Sequence, residues 1–114
     1  MRHLLVFGSL RKKSKRGYNF NRFGGQKFLR NVTLDGFEMY SLSSYPAVCR
    51  GEGKIKCELH YVEKEAAEYI ERMEIGAGYS PEKIKLKNGI EATIYTWPKE
   101  RLSHFPRVAN GDWN

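Results

Sequence analysis

The stretch that most limits what this chain can become is Leu4-Leu5-Val6-Phe7-Gly8-Ser9-Leu10-Arg11. Four apolar, strand-favouring residues break at a Gly-Ser step and pass straight into basic sequence. A buried strand that ends in glycine presents main-chain N–H groups with no Cβ in the way of a ligand. Successive amides of this kind can hold a carboxylate or a developing oxyanion. The same residues also make an ordinary turn, and from the sequence alone both readings stand.

The bulk properties narrow the setting. A chain of 114 residues carries one modest core, so residues 1–114 are expected to form a single domain. Hydrophobic residues make up 40% and charged residues 29%, the balance of an ordinary globular protein. No apolar run approaches the roughly 20 residues that cross a bilayer, and Leu4–Phe7 is too short for the core of a signal peptide. A cytoplasmic protein is therefore expected, with no membrane partner. Cys49 and Cys57 lack C-x-x-C spacing, which argues against zinc and, in a reducing compartment, against a disulfide. His3, His60 and His104 are scattered without ligand spacing, so no metal is expected. The net charge of +7 is concentrated in Arg11-Lys12-Lys13-Ser14-Lys15-Arg16. Such a cluster can grip phosphates, but no nucleic-acid-binding pattern accompanies it, and a solvated loop is the simpler reading.

Along the chain, Phe28–Leu34 alternates weakly and Asp35-Gly36 predicts a hairpin turn. Phe37–Leu42 alternates again until Ser43-Ser44-Tyr45-Pro46 stops it, because proline cannot donate to a ladder. Ala47-Val48 resumes, Arg50-Gly51-Glu52-Gly53 predicts another turn, and Lys54–Val62 predicts a strand with Ile55, Cys57, Leu59 and Tyr61 on one face. Glu63–Glu74 is the clear helix, rich in good formers with early carboxylates, and Gly76-Ala77-Gly78 ends it. Glu82–Leu86 and Ile90–Trp97 flank an Asn88-Gly89 hairpin signal. Pro98–Asn114 shows no regular pattern. The expected class is α+β, a small mixed and mainly antiparallel sheet curling toward a barrel, with one principal helix.

On a helical wheel Ala66, Ala67, Tyr69, Ile70 and Met73 share one arc, which should face the core. Glu74 falls inside that arc at the last turn, where the helix dipole is already negative. Partial burial and the dipole both favour a protonated carboxyl, and a raised pKa suits general acid–base work near neutrality. The competing reading is a frayed helix end whose carboxylate turns to water or pairs with a lysine.

Val6-Phe7-Gly8-Ser9-Leu10-Arg11 resembles the N-terminal signature of the gamma-glutamylcyclotransferase-like (AIG2-like) family. Gly17 with Asn19, Gly36–Tyr40 followed by Tyr45-Pro46-Ala47-Val48, the Gly53–Val62 strand, Ile70–Glu74, Gly78-Tyr79 and Ala92–Tyr95 match further family segments in order. The resemblance implies a small α+β barrel with a cavity, acting without a cofactor on a small gamma-glutamyl substrate. It implies Glu74 as the catalytic acid–base group and Phe7, Gly8, Ser9, Leu10 and Tyr95 as substrate-binding residues, with Tyr45 and Tyr79 as further candidates for the cavity wall. The chain departs from the pattern in having Glu71 in place of the usual aspartate and Ile75-Gly76 in place of a glycine directly after Glu74. Ser9 lacks the G-x-S-x-G context of a nucleophile and reads as a turn hydroxyl. Two other classes are compatible with the residues: a binding protein of the same fold without turnover, and a nucleic-acid-associated protein using the basic run.

Overall fold

The computed structural model describes residues 1–8, 10–12 and 24–113. In chain order the elements are β1 (His3–Val6), β2 (Gln26–Ser41), β3 (Pro46–Val62), α1 (Lys64–Gly76), β4 (Ser80–Lys85), β5 (Glu91–Thr96) and α2 (Lys99–Leu102). The strands form one five-stranded sheet in the order β2-β3-β1-β5-β4. β1 runs antiparallel to β3 and parallel to β5, while β2–β3 and β4–β5 are antiparallel. The sheet is thus mixed and mainly antiparallel. It curls but stays open, with β2 and β4 as its edge strands. Across the curl, the Trp97 N–H donates to the Val48 carbonyl at 3.0 Å, a single bond where a barrel would need a ladder.

Asp35-Gly36 is not a hairpin, because β2 continues through it for 16 residues. Asp35 faces Lys54 and Phe37 faces Arg50, so Gly36, at φ +86°, stands opposite the three residues Gly51-Glu52-Gly53. Both predicted turns are the two sides of one bulge, which bends the long hairpin without ending it. The real reversal lies at Leu42–Tyr45, where the Leu42 N–H donates to the Tyr45 carbonyl, and Pro46 opens the next strand. The Asn88-Gly89 reversal forms as expected, with the Leu86 N–H bonded to Ile90 at 2.8 Å.

The core gathers the short strands β1 and β5, the inward side of β3, and Ala67 and Ile70 of α1. β1 owes its central place to its composition: Leu4, Leu5 and Val6 are all buried, as a strand covered on both faces requires. Met73 departs from the wheel, being 40% exposed. The tail is ordered although its sequence shows no period. After α2, residues 106–108 lie along the outer edge of β2, with Ser41 bonded to Pro106 and Val108 to Met39, both at 2.8 Å. This covers an edge that would otherwise offer unpaired amides.

Candidate active site

β1 and β5 are the parallel pair of the sheet, with Leu4 level with Thr93. Two residues further on, Val6 and Tyr95 arrive together at the carboxyl ends of their strands, where chains diverge and leave a crevice. A cavity of about 80 Å³ lies there, lined by β1 and its extension Phe7, Gly8 and Leu10, by Tyr45 and Pro46, by Met73 and Glu74, and by Tyr79 and Tyr95. Phe7, Gly8, Leu10, Glu74 and Tyr95 are therefore brought to one cavity, as are Tyr45 and Tyr79. Ser9 lies outside the described residues, as do Gly17 and Asn19.

Glu74 sits in the last turn of α1, partly buried. Among the described residues no side chain makes a hydrogen bond or ion pair with its carboxyl. Burial pushes its pKa up to about 7, because the charged form loses hydration without gaining a partner. Its main chain is fixed by caps: the N–H groups of Ala77 and Tyr79 both donate to the Glu74 carbonyl, at 3.1 and 3.0 Å. The helix end is not frayed.

Two tyrosines flank the acid. The Tyr79 hydroxyl donates to the Pro46 carbonyl at 2.6 Å, and burial followed by the Glu74 charge pushes its pKa up. Tyr95 is also buried and shifted upward, by burial first and then by the Glu71 and Glu74 carboxylates. Its hydroxyl meets no acceptor in strict hydrogen-bond geometry, and the Glu71 carboxylate is close enough to act on it both as a charge and as a loose acceptor. A buried phenol held so loosely can turn its donor to a ligand.

Gly8 is favoured here by packing. A Cβ at this position would stand 3.1 Å from both Cγ and Cδ of the Pro46 ring, so glycine lets the loop lie flat against the start of β3. The Gly8 carbonyl accepts the Arg11 N–H at 3.0 Å, which ties the residues after β1 back to its end.

Leu10, Arg11 and Lys12 are clasped from behind by polar groups that the sequence pattern leaves unmarked. Glu58 and His60 are 1% and 0% exposed, although they occupy the nominally outward phase of β3. The Lys12 N–H donates to Glu58 Oε1 at 2.6 Å, and His60 Nε2 lies 3.0 Å from the same oxygen. Gln26 Nε2 donates to His60 Nδ1 at 2.8 Å and reaches the Leu10 carbonyl at 3.5 Å. An amide nitrogen only donates, so His60 is the Nε2–H tautomer donating to Glu58, and burial lowers its pKa and keeps it neutral. Arg11 is 1% exposed, with Nη1 donating to Asp112 Oδ1 and to the Trp113 carbonyl, both at 3.0 Å, and Nε 3.9 Å from Glu58. Arg11 is thus an internal counter-charge and not the leading residue of a solvated basic cluster. Lys12 stands over the Phe28 ring, and residues 13–16 of the cluster lie outside the described residues. Cys49 and Cys57 are buried free thiols. Among the described residues no group of three His, Cys, Asp or Glu side chains could hold a metal, and no helix is long and apolar enough to cross a membrane.

A curled α+β sheet whose long helix delivers an unpaired carboxyl to a cavity at the end of the first strand defines a small pocket-bearing class of proteins. The chain belongs to the gamma-glutamyl cyclotransferase, AIG2-like family, whose model matches residues 4–114. It is 31% identical over 111 residues to a Pyrococcus horikoshii protein, PH0828, itself only provisionally named a gamma-glutamylcyclotransferase, spanning 97% of this chain and 90% of that one. The crystal structure of PH0828 matches with a TM-score of 0.77 over 98% of this chain and 89% of the other. The gamma-glutamylcyclotransferase family protein YtfP of Escherichia coli K12 is 23% identical over 96% of this chain and 94% of its own length. A mouse AIG2-like protein, 14% identical, shares the fold alone, with a TM-score of 0.72 over 100% of this chain and 88% of the other.

Proposed function

We propose that the protein is a gamma-glutamyl cyclotransferase in which Glu74 is the general acid–base group. The α-amine of a gamma-glutamyl amide attacks its own γ-carbonyl carbon, a new C–N bond closes the five-membered ring, and the bond to the leaving amine breaks. The products are 5-oxoproline and the free amine. Two protons leave the attacking nitrogen and two arrive on the departing one, so the reaction consumes none. Because the nucleophile is tethered, the protein has only to fold the substrate and move protons. Glu74, raised to about 7, can take a proton as carboxylate and return it as acid, a contribution on the order of 10²–10⁴-fold.

The amides of Gly8, Ser9 and Leu10 would hold the polar groups of the substrate, with the Tyr95 hydroxyl as a further donor. The observation that carries this reading is the placement of a carboxyl with no side-chain partner, among largely apolar walls, in the same cavity as Gly8 and Leu10. The test is to incubate the protein with a panel of gamma-glutamyl amides and measure 5-oxoproline. Turnover in the parent, with loss of at least about 10²-fold in Glu74→Gln and little change in the exposed Glu71→Gln, is expected. Full rate in Glu74→Gln removes the assignment, and binding without 5-oxoproline leaves a ligand-binding protein of the same fold.

A further inference from the structure

Gly8 and Leu10 line the cavity, and two consecutive peptide groups behind them fix where they stand. The Arg11 N–H donates to the Gly8 carbonyl at 3.0 Å, and the Leu10 carbonyl of that same peptide lies 3.5 Å from Gln26 Nε2. The next N–H along, that of Lys12, donates to Glu58 Oε1 at 2.6 Å, a short charge-assisted bond. Glu58 is itself aimed from two sides, with His60 Nε2 donating to Oε1 at 3.0 Å and Arg11 Nε standing 3.9 Å from Oε2. Its side chain does not line the cavity, so it does not touch the reacting atoms. Glu58, Arg11 and His60 are almost wholly buried, and apolar side chains of similar volume commonly stabilise a fold as well or better. What a buried polar set adds to packing is direction, because a hydrogen bond weakens steeply once its distance and angle are lost.

We infer that Glu58 is a positioning residue for the reaction: by holding the Lys12 N–H it sets the place of Gly8 and Leu10 in the cavity wall. The inference rests on the cyclotransferase reading of that cavity.

Two substitutions separate reach from charge. Glu58→Gln keeps an acceptor oxygen at full length and removes the charge. Glu58→Asp keeps the charge and withdraws the oxygen by about 1.5 Å, which breaks a hydrogen bond but only weakens a Coulomb attraction to Arg11. With the gamma-glutamyl amide that the parent turns over best, Glu58→Gln should stay within about threefold of the parent kcat/KM, and Glu58→Asp should fall by about tenfold or more. Glu58→Asp matching or exceeding Glu58→Gln overturns the proposal, since a purely structural ion pair gives that order. The acid limb set by Glu74 should keep its place in both variants. A limb displaced in Glu58→Gln assigns Glu58 a charge effect on Glu74 and overturns the proposal too. Should Glu58→Asp not fold, His60→Leu leaves the Glu58–Arg11 pair and removes the donor that steers Oε1. It is expected to lower kcat/KM by about tenfold, and an unchanged value overturns the proposal. If the parent yields no 5-oxoproline from any compound, the cyclotransferase reading fails by itself and amide NMR spectra decide the positioning. A Lys12 amide proton far downfield in the parent and in Glu58→Gln, moved upfield in Glu58→Asp together with shifts at the Gly8 and Leu10 amides, upholds it. Gly8 and Leu10 resonances that stay where they are in Glu58→Asp overturn it.

Discussion

Glu74 is costly to the fold in a way that can be titrated. Its folded pKa of about 7 lies above the ordinary 4.5, so the folded state binds this proton more tightly than the unfolded chain does. The stability it contributes is full below about pH 4.5 and is lost as pH rises through about 7. Glu74→Gln should therefore match the parent near pH 4 and exceed it at pH 8 by on the order of 2 kcal/mol, read by urea denaturation at the two pH values. In the proposed reaction the sign reverses, because there the Glu74 carboxylate is the working base. The kcat/KM of the parent should climb with pH through about 7 on its acid limb. Gly8→Ala tests the packing of the turn. The new methyl must displace a Pro46 ring whose carbonyl is tied down by Tyr79, and a loop moved by a fraction of an ångström should lower kcat/KM by about tenfold with little change in Tm.

Among the elements, the turn after β1 depends on the clasp behind it. Arg11→Ala would remove the buried cation that faces the carboxylates of Glu58 and Asp112, at a cost of about 3–5 kcal/mol. Glu58→Gln keeps an acceptor for the Lys12 N–H and should cost less, an ordering that chemical denaturation will resolve. This clasp was not legible in the sequence. The alternation of Ile55, Cys57 and Leu59 assigns Glu58 and His60 to the outward phase, yet Glu58 meets Arg11 and Lys12 and His60 meets Gln26 and Phe28, contacts that no local period can reveal. The same limit explains the long β2–β3 hairpin. Asp35-Gly36 and Arg50-Gly51-Glu52-Gly53 are turn sequences by composition, and only pairing across the ladder makes them a bulge. What could be read were features fixed locally: β1, the α1 wheel that marks Glu74, and the Asn88-Gly89 reversal. Met73 fits the wheel yet escapes burial because the last turn of α1 reaches the cavity mouth.

At the scale of the whole molecule, the irregular tail closes the structure. Gly111 has φ +65°, its N–H donates to Val108 and its carbonyl accepts the Lys56 N–H at 2.8 Å. A Cβ there would lie 2.1 Å from the Lys54 carbonyl oxygen, so Gly111→Ala combines a left-handed conformation with a backbone collision. It should cost more than about 2 kcal/mol and lower Tm by roughly 10 °C or more, measured by thermal melts. The neighbouring contact, Arg11 to Asp112, joins residues 101 positions apart. During synthesis, then, the sheet's first strands can emerge long before the segment that seats Arg11 has left the ribosome. Anchoring of the residues after β1 is thus a late event in folding, and a chain cut just short of Asp112 would keep Glu74 and Tyr95 beside residues that have lost their tether.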